Sequence, residues 1–369
     1  MMQCKRSSSI RSSAAIIGSN DDLLTEFLIF FPAKSLIRFQ LVSKQWHSVI
    51  SSPSFRHLHS LHHCRRRAKS QPSFLLRGAA SRFFICHPTV KRLVPFSFGF
   101  NKKVNILRSC NGLLLLECRK TNFGYKDYYI FNPTTLKFRN LWLRKAFVGL
   151  CLVFDPSRSP HYRVLCLVPC ENSSSRLLVY DSETHKWKDS VESYTRRQKF
   201  CGGIYWNDDV YFYKSRHMSR CYSFKNEKIC ALDDPPLVIR SPGAMKYHIM
   251  ESNGHLHSVS LYLKPINKYL YVYEMSDVDF SWCRKYRVDL NPISATFGGN
   301  IRLLGMIRGD REEDSILLFH VTGKIMVYRF VAEVFEVLVD FRSEGYFREG
   351  LLQFEFKNAH QFIESLAPV

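Results

Sequence analysis

IFNPTTLKF, residues 130–138, and VYDSETHKW, residues 179–187, are one pattern written twice. Each begins with an apolar pair and places Asn132-Pro133 or Asp181-Ser182 at its centre. A basic residue and a second aromatic follow. Asn and Asp side chains bond the backbone a residue or two onward and proline fixes φ, so each copy reads as two strands joined by a tight turn. Weaker copies begin near Phe84 (FICHPTVKRL), Cys221 (CYSFKNEKICAL), Val272 (VYEMSDVDFSWC) and Val327 (VYRFVAEVFEVL). The starts at 84, 130, 179, 221, 272 and 327 lie 46, 49, 42, 51 and 55 residues apart.

A period near 50 fits the four-stranded blade of a β-propeller of the kelch kind. Residues 73–369 number 297 and hold about six such blades. Ring closure would also explain how a chain so rich in strands hides their edges. Two packed β-sandwiches are the alternative, but they would not impose this period. Aromatics at 14% of residues suit β-structure.

Upstream the periodicity is helical. In DDLLTEFLIFFPAKSLIRFQLVSKQWHSVISSP, residues 21–53, Leu24, Phe27, Leu28 and Phe31 fall at i, i+3, i+4 and i+7. Asn20 or Asp21 can cap this helix and Pro32 would stop it. Leu36, Phe39 and Val42 make a second stripe. Ser43 can cap a third helix carrying Trp46, Val49 and Ile50, and Ser52-Pro53 starts one more short turn. Units below about 40 residues rarely bury a sufficient core alone. No cysteine lies between Asp21 and Pro53 to staple this one. A partner, or the chain's own second domain, must cover the surplus apolar surface.

These residues resemble the F-box, the adaptor-binding motif of ubiquitin-ligase substrate receptors, in its plant form. The match runs through Asp22-Leu23-Leu24, Glu26, Leu28, Pro32-Ala33-Lys34-Ser35-Leu36, Arg38-Phe39 and Val42-Ser43-Lys44-Gln45-Trp46, then Ile50-Ser51-Ser52-Pro53-Ser54-Phe55. Ser19-Asn20 stands where many members have Leu-Pro, a change expected to weaken docking. Later stretches resemble the F-box-associated, kelch-like domain: Ser109-Cys110-Asn111-Gly112-Leu113-Leu114-Leu115, Phe131-Asn132-Pro133-Thr134-Thr135, Gly202-Gly203-Ile204-Tyr205-Trp206 and Glu251-Ser252-Asn253-Gly254-His255-Leu256. In physical terms, Asn-Gly supplies a hairpin turn and the Leu run a buried strand.

The expected architecture is therefore α+β and multidomain. Residues 1–18 form a basic, Ser-rich disordered tail, 19–58 a three-helix F-box, 59–72 a basic linker and 73–369 the propeller. The resemblance implies a non-catalytic subunit. Its F-box docks a Skp1-type adaptor, and through it a cullin–RING ligase, while the β domain holds a protein substrate for ubiquitination. The adaptor surface is assigned to Leu24, Leu28, Pro32, Leu36, Phe39, Val42 and Trp46. The other reading, a basic nucleic-acid-associated propeller with a non-functional F-box, lacks an RNA-recognition signature.

Composition narrows the rest. Formal charge is +21, with +8 in residues 1–70 and +13 beyond, which reads as a thinly spread excess with one dense spot at Arg65-Arg66-Arg67-Ala68-Lys69. That charge favours an acidic or phosphorylated substrate. Twelve cysteines, none in a Cys-x-x-Cys pair, suit a reducing compartment, nucleus or cytoplasm. No apolar run is long enough for a membrane span. His57, His59, His62 and His63 are crowded into one stretch without a second half, so no metal is expected there. No cofactor is expected either: phosphate-loop and nucleophile-elbow motifs are absent. Thr322-Gly323-Lys324 reads as a turn between strands 316–321 and 325–331, and the acidic run 310–314 as a solvated turn.

Overall fold

The structure, a computed structural model, describes residues 20–65, 72–78, 82–99, 103–119, 126–143, 146–170, 174–195, 202–214, 217–230, 245–263, 268–298, 300–341 and 359–369. Four helices come first: α1 (Asp21–Leu28), α2 (Ala33–Phe39), α3 (Lys44–Ser51) and α4 (Pro53–Arg65). Asn20 caps α1, its Oδ1 accepting from the backbone N–H of Asp22 at 2.9 Å and of Leu23 at 3.1 Å. Ser43 Oγ does the same for Trp46 at 3.1 Å. These contacts satisfy N–H groups that a helix start leaves without partners.

Three local expectations are corrected. Pro32 does not end α1, which stops at Leu28; with φ −57° and ψ 145° it is the residue that precedes α2. The turn foreseen after Ser52 is a 13-residue helix. That helix takes in residues 59–65, which the sequence reading places in a linker. The rest of the linker, 66–71, and the N-terminal tail lie outside the described residues.

The β region forms six antiparallel four-stranded sheets. In chain order, the innermost strands of the second to sixth blades are Lys103–Cys110, Gly149–Val153, Gly202–Trp206, Met245–Ser252 and Arg302–Ile307. Every repeat start read from the sequence falls in the third strand of a blade, counted from the axis. The turn after it is also alike in several blades. Leu136, His185, Glu227 and Glu333 each sit just before the outer strand with φ of 57°, 56°, 50° and 54°. Asn111-Gly112 and Asn253-Gly254 have positive φ at both positions, the type I′ hairpin that a right-handed twist prefers. Strands Ile316–Val321 and Lys324–Arg329 flank the Thr322-Gly323 turn. Helix α5 (Asn291–Phe297), between the fifth and sixth blades, had no counterpart in the sequence reading.

The first blade closes the ring. Its strands Ser73–Arg77, Phe83–Cys86 and Leu93–Phe96 come from the start of the β region, and its innermost strand is Ala359–Phe362, paired from Ser73↔Phe362 to Leu76↔Ala359. Apolar clusters then join neighbouring blades all round. Phe74, Leu76 and Phe84 of the first blade meet Leu304, Ile307 and Leu318 of the sixth. Separate four-stranded sheets joined in a ring are not a pair of sandwiches.

The chain beyond Phe362 ties the helices to the propeller. Leu366, 1% exposed, completes the helical core with Leu24, Leu28, Ala33, Leu36, Val49, Ile50 and Phe55. The chain's own second domain therefore covers part of the surplus noted above. Asn132, fully buried, donates from Nδ2 to the carbonyls of Ser365 (3.0 Å) and Ala367 (2.9 Å), while its Oδ1 accepts from Thr134 and Thr135 N–H. Ser365 N–H donates to Thr134 Oγ1 at 3.1 Å, and Glu364 accepts from the backbone N–H of Lys34 at 3.3 Å. The Asn-Pro-Thr-Thr turn is thus also a socket for the C-terminal segment.

Candidate functional site

The residues proposed for the adaptor surface separate by burial. Leu24, Leu28 and Leu36 have no exposed surface and pack inside the helical core. Helical spacing reveals an apolar stripe but not which neighbour covers it. Phe39 and Trp46 are half-buried, edge to face at 5.7 Å, in a chain of rings that continues through Phe31 to Phe27. Pro32 is exposed and Val42 is 61% exposed.

The surface also contains apolar residues outside the seven assigned to the adaptor: Leu23, Phe27, Phe30 and Leu41, the last 88% exposed. Leu41 and Val42 lie in the turn between α2 and α3, so the stripe that the spacing carries on to Val42 outlasts the helix, which ends at Phe39. Monomeric surfaces rarely group apolar side chains in this way without a partner.

The histidine run of α4 has a structural task. His59 Nε2 donates to the carbonyl of Phe31 at 2.9 Å and His63 Nε2 to that of Ile29 at 3.2 Å. These carbonyls lie just past the end of α1, where backbone acceptors lack helical partners. Burial pushes the His59 imidazolium down to about 4, so the ring is neutral at ordinary pH. No group of three or more His, Cys, Asp or Glu suited to a metal ion occurs among the described residues.

A cavity of about 1380 Å³ runs along the propeller axis and opens beside the helices. Arg108 crosses its wall to donate to the Gly203 carbonyl at 3.0 Å, and Gln361 donates to the Met306 carbonyl at 2.8 Å. Four cations line the cavity, Lys34, Arg108, Arg308 and Arg311, with four carboxylates, Glu251, Asp310, Asp314 and Glu364. The axis is thus electrically balanced and offers no pull on an acidic ligand. A side branch extends between the first and second blades, past Ile85, Val94, Phe96, Pro133 and Leu136.

One buried polar cluster lies between the fifth and sixth blades. His257 Nε2 donates to Glu274 at 3.1 Å, and Arg308 lies 3.5 Å from the same carboxylate. Hydrogen bonds from His255 and His257 hold Glu274 well below the usual carboxylate range, and burial pushes the His257 imidazolium down. The cluster joins strands of two blades, and its Arg308 also lines the axial cavity. Burial pushes the Cys86 thiol up to about 12, so it stays protonated at ordinary pH.

The F-box domain family matches residues 20–58. The chain is 31% identical to the F-box protein At5g07610 of Arabidopsis thaliana, over 97% of this chain and 94% of that one. It is 28% identical to the F-box/kelch-repeat protein At5g43190 of the same plant, over 52% of this chain and 48% of that one. Among solved structures, it superposes on the β-propeller domain of the Trilobed protease of Pyrococcus furiosus with a TM-score of 0.35 and 8% identity, over 64% of this chain and 84% of that one.

Proposed function

The chain belongs to the F-box protein family, and from that premise we propose that it is the substrate-recognition subunit of a Skp1–cullin–F-box ubiquitin ligase. F-box proteins are in general non-catalytic substrate adaptors. The helices dock a Skp1-type adaptor and the propeller holds a protein substrate. Such a receptor makes no bonds; it raises the local concentration of substrate lysines near the charged conjugating enzyme.

The observation that carries this reading is the exposed group Leu23, Phe27, Leu41 and Val42 on a helical unit whose own core is already full. An apolar groove or helix on the adaptor would bury these side chains and leave Leu24, Leu28 and Leu36 to hold the helices together.

Calorimetric titration of the full chain with a Skp1-type adaptor tests it. Sub-micromolar binding is expected, and L41D together with V42D should weaken it at least about tenfold without lowering the thermal midpoint. L36D would be a poor control, since a charge in the core would unfold the helices. No binding by the unaltered chain would overturn the proposal and would implicate Ser19-Asn20.

A further inference from the structure

The positive charge is not spread over the propeller. Residues 73–142, the first two blades apart from the closing strand, hold twelve Lys/Arg against two Asp/Glu. Residues 143–369 hold thirty against twenty-seven. The first two blades thus carry +10 of the +13 beyond the helices, correcting the thin spread read from the sequence.

Part of that charge is answered internally. Glu117 pairs with Arg119 and Lys126 near the end of the second blade away from the helices. At the end beside the helices lie Lys91, Arg92 and Lys137, all exposed and none in an ion pair among the described residues.

Between these cations the surface is apolar. Val94, 42% exposed, pairs in register with Ile85, whose face packs towards the second blade. Phe138, 57% exposed, stacks edge-on to Tyr129 of the same shared cluster, and Leu136 beside it is 55% exposed. The two outer strands, Leu93–Phe96 and Lys137–Asn140, each pair on one side only. The side branch of the axial cavity is a groove that reaches Val94 and Phe96 of the first of these strands and Pro133 and Leu136 just ahead of the second, and Pro32, Lys34, His59 and His63 of the helices line the same cavity.

We infer that this groove binds an extended acidic segment of the protein substrate, with apolar side chains at alternate positions. This deepens the receptor reading and rests on it. In an extended chain successive side chains point to opposite faces. Alternate apolar residues would enter the gap between Val94 and Phe138, while the acidic residues between them meet Lys91, Arg92 and Lys137. Specificity would come from the apolar positions, and charge would set the association rate. The seat lies beside the helices, which presents the bound segment next to the adaptor.

The test uses the full chain and a display library of random peptides about twelve residues long, long enough to span such a groove. Selected peptides should be enriched in Asp and Glu with Phe, Leu or Ile two residues apart. Binding of a selected peptide should fall about tenfold or more in K91E/R92E/K137E, and similarly in F138D, and should weaken as salt rises. Adaptor binding by both variants should be unchanged, which separates failure here from failure of the ligase reading. Selection of peptides without acidic enrichment, undiminished binding to both variants, or displacement of the peptide by single-stranded RNA that binds more tightly would each overturn the inference.

Discussion

Asn132 makes four hydrogen bonds with one side chain, two given to the C-terminal segment and two taken from its own turn. N132A would leave two buried carbonyls unanswered, at a cost of roughly 2–4 kcal/mol in urea unfolding. N132D should cost at least as much, because a carboxylate would face two acceptors. Two other residues set the response to acid. His59 titrates lower in the folded state, so the unfolded chain takes up its proton first. Stability should fall as pH drops from about 6.5 towards 4, by roughly 2–3 kcal/mol for this burial. H59Q should flatten that window. Glu274 is also held low, so its contribution is present above the ordinary carboxylate range and disappears below it; E274Q should blunt the loss under strong acid. Circular dichroism melts between pH 3 and 8 would show both. The Asn132 turn was plain in the sequence, but its second role was not, since its partners lie more than 230 positions away.

The element that matters most is the stretch 359–369, which supplies a strand to one sheet and a side chain to a separate helical core. L366A should cost about 2–4 kcal/mol, the usual range for a fully buried leucine. Hydrogen exchange should then quicken in α1 and α3, with the middle blades unchanged. A chain ending before Ala359 should lose exchange protection first in Ser73–Leu76, the segment that pairs with the missing strand. The internal strands were legible because six hairpins repeat one turn chemistry at a steady interval. The closing strand was not: Ala359–Phe362 is four residues long and repeats nothing. The starts of α1 and α3 were legible, through Asn20 and Ser43, but the number of helices and their inner and outer faces were not. A stripe of Leu and Phe looks the same whether it meets its own bundle or another protein.

Across the whole molecule, the six inter-blade clusters and the C-terminal segment join helices and propeller into one mechanical unit. Scanning calorimetry should show a single transition for the unaltered chain and two for L366A, with the helices melting first. Fold class and family were both readable before any coordinates existed, since they rest on local turn chemistry and one dense motif. The surfaces were not, because charge and apolar area become a site only when the ring places distant residues side by side. Lys137 lies 45 or more positions from Lys91 and Arg92, and only blade packing puts the three at one end of the propeller. The clasp has a last consequence, at the ribosome. Neither the first blade nor the helical core can be completed until residue 366 has been translated. Products of a premature stop codon would carry an F-box motif in their sequence yet lack the folded form of it, and so would not occupy adaptors that finished receptors need.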